Sequence, residues 1–309
     1  MLSSVVHTQK TSILLELDEI ISPNMGEVIK VSLAQSNLLK TMESKYEKGL
    51  LPRPIDFINV GSYARSTKLK PLDDVDIFYV IGRCRIWSPN WYSLVEMHTP
   101  IFWDLVTELG NYSSIRMLNE IKKEISKTYS TSEIKRNHEV VNVYLSSYEV
   151  GFDLVPAIYI EDTGNYLIPE GKNSEFWKVS NPVLDQEFLR QLDVKHNGLA
   201  TKSIKLLKYW FRRKKICSPR SYHIESIAYY LLLVCDRPLT NIAEALGYLL
   251  RNINYNGCLY ACPDPTGLSD NITSDLLAVD VTKIMVESSN AYLRLLDSDI
   301  GFVKYLRGE

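Results

Sequence analysis

The chain of 309 residues is 45% hydrophobic and 23% charged, which is typical of a globular protein long enough to form two domains. Its net charge is −2, whereas proteins that wrap long nucleic acid carry an excess of basic residues. The charge therefore disfavours long nucleic acid as a partner. No apolar stretch approaches the roughly 20 residues that cross a bilayer, and the start has no signal-peptide pattern. The five cysteines are scattered, which disfavours a disulfide framework. We therefore expect a cytoplasmic protein without a membrane partner.

The first half of the chain predicts a mixed α/β region, because apolar residues recur there with both helical and strand periods. Its predicted elements are, in chain order, helices over about 11–48 with a break at Pro23, strands at 55–60 and 74–81, helices over about 92–110 and 114–126, and a hairpin over 139–160.

The second half is almost wholly helical by pattern. From about 161 to 182 the composition shifts to Gly, Asn, Pro and charged residues, which predicts a hinge. The helices predicted after it run over about 184–215, 221–236, 239–253 and 274–298. We therefore expect an α/β (α+β) lobe with N-terminal helices at residues 1–162, followed by an α-helical lobe at residues 163–309.

Two acids near the first two strands form the most informative pattern. A Gly61–Ser62 turn ends the first strand, and Asp74 and Asp76 begin the second. Residues i and i+2 of a strand point to the same face, so these carboxylates project together, and they repel unless a divalent cation such as Mg²⁺ lies between them. The turn offers backbone N–H groups and a hydroxyl to a phosphate. Arg65 is a further candidate phosphate ligand, although such a turn would be polar in any case.

A third carboxylate is expected from the hairpin. Asp153 is the only acid in its apolar second strand. Burying a carboxylate among apolar residues is costly unless it is paired or metal-bound. Its position in the strand predicts that it lies beside Asp74 and Asp76, and three such acids indicate nucleotidyl transfer. A Gly-Ser turn, an Asp-x-Asp strand and a later strand acid resemble the nucleotidyltransferase superfamily of DNA polymerase β.

Two segments of the predicted helical lobe indicate a more specific group of families within this superfamily. Lys205 and Lys208 stand at i and i+3 and hence on one face of the segment Lys-Leu-Leu-Lys-Tyr-Trp. Ser221 and Tyr222 open the next helix in the pattern Ser-Tyr-x-x-Glu, with Ser221 as its expected N-cap. These segments resemble the second lobe of the cyclic GMP-AMP synthase and oligoadenylate synthase families, whose bacterial relatives are the nucleotidyltransferases of anti-phage signalling (CBASS).

The resemblance implies a two-lobed, polymerase-β-like fold and a template-independent synthase of a cyclic di- or oligonucleotide second messenger. It implies that Asp74, Asp76 and Asp153 hold two Mg²⁺ ions, with Mn²⁺ as a substitute, while ATP and other NTPs are joined and pyrophosphate leaves. It also implies regulatory or effector proteins of a defence operon as partners.

The same resemblance assigns the nucleotide ligands. Lys208 with Lys205 would hold the donor triphosphate, which suits lysine as a point-charge phosphate binder. Ser62 would meet the terminal phosphates, and Ser221 with Tyr222 would contact or stack on the base.

Several alternatives stay open at this point. Lys205 could instead be a solvated helix residue, and Tyr222 could simply pack between helices. The same transfer chemistry would also serve an enzyme acting on RNA, on a protein or on a small molecule. A non-enzymatic nucleotide-binding module is a further alternative, which the retention of three mutually repelling acids disfavours.

Overall fold

The computed structural model describes residues 13–308 apart from 89–90, 97–112, 172–174, 216–218 and 274, and over 86–96 it describes the backbone alone. The chain divides into two compact units. The sheet unit comprises residues 24–64 and 71–182, and the helical unit comprises residues 1–23, 65–70 and 183–309.

The sheet unit is built from strands and a few helices. In chain order they are α2 (Met25–Glu47), β1 (Asp56–Val60), α3 (Gly61–Ala64), β2 (Asp74–Ser88), β3 (Trp91–Glu96), α4 (Ser114–Ser126), β4 (Glu133–Asn137), β5 (Val140–Leu145), β6 (Val150–Ile160), β7 (Asn165–Pro169) and β8 (Trp177–Ser180). The strands form one mixed sheet in the order β1-β2-β6-β5-β4. Strands β2 and β6 are parallel and the other pairs are antiparallel, with β3 paired to β2, β7 to β6 and β8 to β7.

Alternation along β2 and β6 divides their side chains between two faces of the sheet, as the period of two in a strand requires. Val75, Ile77 and Leu154 belong to one apolar cluster, which also contains buried residues of α2 and α4. Phe78 and Val155 belong to a smaller cluster on the opposite face. The acids at the start of β2 alternate with Val75 and Ile77, so they lie on the face of this smaller cluster.

The helical unit contains the remaining elements. They are a helix over 13–21 (α1), α5 (Pro182–Lys195), α6 (Leu199–Lys214), α7 (Ser221–Val234), α8 (Ile242–Arg251), the short hairpin β9 (Ala261–Pro263) and β10 (Asn271–Thr273), α9 (Ala278–Asp297) and α10 (Asp299–Arg307). One apolar core joins them, with Trp210, Tyr229 and Phe302 among its largest fully buried side chains. Local signals fix helix starts: Asn241 caps α8 and Ser298 caps α10 through their side-chain oxygens.

Most of the predicted elements are confirmed. The break at Pro23 separates α1 from α2, because Asn24 and Glu27 form a capping box that starts the second helix. The strands at 55–60 and 74–81, the helix over 114–126 and the hairpin over 139–160 are present, and so are the helices of the second half. The helix predicted over 184–215 is two helices, because Asn197 and Gly198 both have positive φ and end the first one.

Two predictions are wrong. The helix expected over about 92–110 is a strand at its start, since 91–96 pair with β2; residues 97–112 lie outside the described part of the chain. The hinge expected over 161–182 contains β7 and β8, which extend the sheet. Gly164 and Gly171 have positive φ and supply the turns that the composition indicated, but the apolar residues between them pair with β6.

The mixed sheet and the helical C-terminal region confirm the predicted fold class. The sequence placed a boundary between residues 162 and 163. In the structure the main division falls between Pro182 and Val183, because β7 and β8 continue the sheet, and residues 1–23 and 65–70 join the helical unit. None of the helices in the described residues is both long and apolar enough to cross a membrane.

Candidate active site

Asp76 and Asp153 are direct partners in the parallel ladder between β2 and β6, and Asp74 pairs with Gly151 in the same ladder. Residues paired in register share a face of the sheet, and Asp74 lies two residues before Asp76, so the three carboxylates lie on one face. Asp74 is exposed, and Asp76 and Asp153 are half-buried. The parallel pairing of two distant strands thus places the three acids on one face of the sheet.

Gly61 lies against the carboxylate of Asp76. It begins the short helix α3 with φ of +67°, a conformation that favours glycine. A Cβ added there would lie 2.8 Å from the Asp76 carboxyl carbon and closer still to one carboxylate oxygen. The missing side chain therefore leaves the space that the Asp76 carboxylate occupies. Ser62 follows in the same helical turn and is half-buried.

Asn142 supports the third acid and was not singled out from the sequence. It pairs with Asp153 in the antiparallel ladder between β5 and β6, and its Nδ2 donates to Asp153 Oδ1 at 2.8 Å. The bond holds one carboxylate oxygen of Asp153 and leaves the other to a ligand. Its signal in the sequence is a lone amide residue within the apolar strand Val-Val-Asn-Val-Tyr-Leu.

The three acids present only carboxylate oxygens, which are the ligands that Mg²⁺ prefers. Within the ranges that the structure describes, no three or more Asp, Glu, His or Cys side chains are grouped so that they could hold a metal ion as they stand. The donor chemistry and the shared face fit a hard divalent cation. Holding it would require the three side chains to turn toward a common point.

The helical unit contains the predicted phosphate ligands Lys208 and Arg65, which meet at a buried carboxylate. Lys208 Nζ donates to Glu225 Oε1 at 2.6 Å and to the carbonyl of Thr67 at 3.0 Å. Arg65 Nε donates to Glu225 Oε2 at 2.9 Å. Arg65 and Lys208 are 9% and 7% exposed, so both cations are largely enclosed by the protein. The sequence did not predict that they would share one anion.

Lys205 does not lie in solvent. It is 8% exposed, and its ammonium group lies 2.8 Å from Asp18 Oδ1 and donates to Ser22 Oγ at 2.6 Å. The interpretation of Lys205 as a solvated helix residue is therefore wrong. Lys205 and Lys208 share a face of α6 as predicted, but each is paired with a different carboxylate.

Tyr222 and Ser221 stand at the first turn of α7. The helix begins at Ser221 and its N-cap is Arg220, so the expected N-cap role of Ser221 is wrong. The Tyr222 hydroxyl donates to Asp185 Oδ1 at 3.0 Å, and the Arg65 guanidinium lies over the Tyr222 ring, 5.5 Å from its centroid. Burial raises the pKa of Asp185 to about 6, although Arg65 and the Tyr222 hydrogen bond oppose this rise.

The predicted site residues therefore fall into two groups. Asp74, Asp76, Asp153, Gly61 and Ser62 belong to the sheet unit, while Arg65, Lys205, Lys208, Ser221 and Tyr222 belong to the helical unit. In each unit, a residue that the sequence analysis did not single out forms hydrogen bonds to predicted site residues. Asn142 holds Asp153, and Glu225 holds both Arg65 and Lys208.

Comparison with known protein families gives a match over residues 96–192 to the Second Messenger Oligonucleotide or Dinucleotide Synthetase domain. The matched segment contains both Asn142 and Asp153. A probable cyclic nucleotide synthase of Bacillus cereus (strain VD146) is 32% identical over 184 residues, which are 56% of this chain. The chain spans about half of that relative, 54% of its length.

Solved structures share the fold. CdnC of E. coli MS115-1 with ATP matches with a TM-score of 0.64 at 16% identity, covering 96% of each chain. CdnE of Elizabethkingia meningoseptica, a cyclic dinucleotide synthase with GTP and Apcpp, gives 0.61 at 14% identity, covering 92% of this chain and 98% of that one. DncV of Vibrio cholerae with 3′-deoxy ATP gives 0.57 at 12% identity, covering 78% and 62%.

These similarities agree with the resemblance that the sequence motifs carry. The synthetase-domain match and the Bacillus cereus relative connect the chain to cyclic nucleotide synthases by sequence, and the solved structures connect it to them by fold. The chain is therefore similar to second-messenger oligonucleotide synthetases over residues 96–192, and it shares the fold of CdnC, CdnE and DncV over most of its length.

Proposed function

We propose that the protein is a template-independent nucleotidyltransferase that joins NTPs into a cyclic di- or oligonucleotide second messenger and releases pyrophosphate. The observation that carries this proposal is the in-register pairing of Asp76 with Asp153, with Asp74 on the same face and Gly61 against the Asp76 carboxylate. A cyclic nucleotide synthase as sequence relative supports the cyclic product.

In the proposed reaction, an acceptor ribose hydroxyl attacks the α-phosphorus of a donor NTP. The new O–P bond forms as the bond to pyrophosphate breaks. Asp74, Asp76 and Asp153 would hold two Mg²⁺ ions, or Mn²⁺, whose chemistry when bound is to stabilise the attacking and leaving oxygens of an in-line displacement. Asp153, with Oδ1 held by Asn142, would orient the attacking hydroxyl or accept its proton at the other carboxylate oxygen.

The other predicted residues would bind the nucleotide. Ser62 and the backbone of α3 would meet the terminal phosphates. Lys208 would contact the donor triphosphate with Lys205 and Arg65 near it in the helical unit, and Ser221 with Tyr222 would contact the base. Each of these cations has a carboxylate partner, so in this proposal the triphosphate shares them with internal anions.

Substrates, partners and setting follow by analogy with relatives. Structures of CdnC with ATP and of CdnE with GTP and Apcpp support NTPs as substrates. The complex of CdnC with HORMA-deltaN from E. coli MS115-1 supports a protein partner. The proposal that such a partner is a regulatory or effector protein of a defence operon, and that the role is anti-phage, rests on the resemblance of the sequence motifs. The free thiols of Cys84, Cys235, Cys258 and Cys262 support a reducing compartment such as the cytoplasm.

Mass spectrometry of the reaction product tests this function. Purified protein is incubated with the four NTPs and Mg²⁺ or Mn²⁺, and the mixture is treated with phosphatase, which removes terminal phosphates. We expect a phosphatase-resistant product whose mass is an integral number of NMP units less one water for each. Pyrophosphate release with linear or acceptor-linked products alone would instead indicate an enzyme acting on RNA, a protein or a small molecule. Nucleotide binding without pyrophosphate release would indicate a binding module.

A further inference from the structure

Glu225 is a fully buried carboxylate in the helical unit, with no exposed surface. Both of its oxygens accept hydrogen bonds from side chains that converge on it from α6, α7 and the segment 65–70. The donors are Arg65 Nε at 2.9 Å, Thr67 Oγ1 at 3.0 Å, Lys208 Nζ at 2.6 Å and the Tyr229 hydroxyl at 3.2 Å. A carboxylate held this completely has one fixed position and orientation.

Glu225 is ionised in this setting. Burial alone raises the pKa of a carboxyl group, but at Glu225 the charges and hydrogen bonds of Arg65 and Lys208 outweigh burial and bring the pKa below its ordinary value. One buried anion therefore stands between two nearly buried cations. Removing it would take from Lys208 its carboxylate partner and from Arg65 the nearer of two, and a buried charge that loses its partner is strongly unfavourable.

The bonds to Lys208 fix the direction of its remaining donor. An ammonium group has three N–H donors. Glu225 and the carbonyl of Thr67 accept two of them in this structure. Arg65 is constrained in the same way, with Nε on Glu225 and Nη1 3.8 Å from Asp185 Oδ2. A phosphate would meet side chains whose rotamers were fixed on folding, so binding would not have to order them.

The same carboxylate fixes a piece of backbone. Arg65 and Thr67 belong to the segment 65–70, which continues the chain directly from α3 and its Ser62. Thr67 is bound through its hydroxyl to Glu225 and through its carbonyl to Lys208. The segment is further held by a bond from the Lys70 N–H to the carbonyl of Ile21 at 2.8 Å. Glu225 thus organises both predicted cations and the loop that connects them to the Gly-Ser turn.

We infer that Glu225 is a positioning residue for the triphosphate of the donor nucleotide, acting through Lys208 and Arg65. This inference rests on the proposed function, because it takes a nucleoside triphosphate as the ligand. Glu225 itself does not touch the ligand. It sets where the two cations stand and which of their N–H groups remain for phosphate.

The test compares the binding of two ligands by calorimetry, without turnover. One is an α,β-methylene analogue of ATP, which carries a triphosphate, and the other is AMP, which lacks the outer phosphates. We expect Glu225→Gln to weaken binding of the analogue by about tenfold or more, as for the loss of a charged hydrogen bond, and binding of AMP by less than about twofold. A purely structural defect would weaken both ligands alike, and that result would overturn the inference.

A matched control removes an equally buried carboxylate elsewhere. Glu124 in α4 is 1% exposed and is paired with Lys45 and Lys127. Like Glu225→Gln, Glu124→Gln removes a buried negative charge from its cation partners, so the thermal unfolding temperature should fall in both variants. We expect the affinity of Glu124→Gln for the analogue to stay within about twofold of wild type. A loss equal to that of Glu225→Gln would contradict a positioning role.

A double variant asks whether Glu225 acts through Lys208. If it does, the loss in Glu225→Gln combined with Lys208→Met should be smaller than the sum of the two single losses, because only the route through Arg65 remains once Lys208 is gone. Fully additive losses would overturn the route through Lys208. Should Glu225→Gln fail to fold, Tyr229→Phe removes a single bond to Glu225 and keeps the ring, and it should show a smaller loss that is still selective for the analogue over AMP.

The outcomes separate this inference from the proposed function. Wild-type protein that binds the analogue but forms no product would count against the synthase and leave the role of Glu225 intact. A variant that binds the analogue like wild type while wild type forms product would overturn the role of Glu225 alone. Wild-type protein that binds no triphosphate would overturn the inference as well.

Discussion

Gly61 faces the Asp76 carboxyl group so closely that a Cβ added to the glycine would lie 2.8 Å from the carboxyl carbon. Gly61 begins α3 directly after Val60, the last residue of β1, and Val60 stands opposite Asp76 of β2 in the antiparallel ladder. The Gly-Ser turn is therefore packed against one of the predicted metal ligands, and a glycine is required there for space as well as for backbone conformation.

Gly61→Ala should abolish activity. The new methyl group would force the Asp76 carboxylate out of its position, and alanine at positive φ is strained by about 1–2 kcal/mol. Pyrophosphate release measures the effect of the displaced carboxylate on activity, and thermal unfolding measures the effect of the backbone strain on stability. Gly49→Ala is the control, because Gly49 has a φ of +68° with nothing within 4 Å of its added Cβ, so it shares the strain but not the clash. Equal activity in the two variants would contradict the account.

Asn142→Ala should slow pyrophosphate release by about 10–100-fold, the usual cost of losing an outer-shell partner of a metal ligand. The cause is that Asp153 loses the bond that fixes its Oδ1. The Mn²⁺ affinity in the presence of a non-hydrolysable NTP, measured by paramagnetic relaxation, should fall in parallel. Lys135→Met is the control, since Lys135 pairs with Asn142 in the ladder but is exposed and bound to Glu133. Wild-type Mn²⁺ affinity in Asn142→Ala would rule this role out.

Asp185 should make stability fall as pH rises from about 4 to 6. Burial raises its folded pKa from 3.8 to about 6, so in this window the folded protein holds a proton that the unfolded chain has lost. The groups that face it are Arg65, Tyr222, Asp264 and Glu225. The free energy of unfolding of wild type relative to Asp185→Asn should therefore decrease by about 1.4 kcal/mol per pH unit. Urea denaturation at several pH values measures this difference, and a flat or rising difference would contradict it.

Lys205→Met should lower the free energy of unfolding by about 3–5 kcal/mol, because it leaves Asp18, which is 6% exposed, without its cation. Replacing both partners by neutral residues removes the unpaired charge. The double variant Asp18→Asn with Lys205→Met should therefore be more stable than Lys205→Met alone in urea denaturation. A double variant that is less stable than the single one would mean that the pair is not the reason for the loss.

Local patterns were enough to predict the face of the sheet that carries the three acids. The alternation Asp-Val-Asp-Ile assigns Asp74 and Asp76 to one face of a strand whatever the strand pairs with. The position of Asp153 in an apolar strand predicted its proximity to them, and the register of β2 and β6 agrees. Asn142 escaped notice because its partner lies across the hairpin, and a single amide in a strand has no periodic signal.

Long-range charge pairing could not be predicted in the same way. Arg65 and Glu225 are separated by 160 positions in the chain, and no periodicity connects them. The hydrophobic pattern of α6 shows that Lys205 and Lys208 share a face, but not that Asp18 and Glu225 meet them there. The apparent hinge at 161–182 has turn residues, yet its strands are defined by the pairing of β7 with β6 and of β8 with β7, which composition does not reveal.

The most direct test of the central claim is pyrophosphate release from ATP and GTP with Mg²⁺ by wild type, Asp76→Asn and Asp73→Asn. Asp73 precedes the strand and is exposed, so Asp73→Asn controls for the loss of one neighbouring negative charge. We expect that Asp76→Asn releases no detectable pyrophosphate, whereas Asp73→Asn stays close to wild type. Release at the wild-type rate by Asp76→Asn would contradict the claim that this face of the sheet is the site of nucleotidyl transfer.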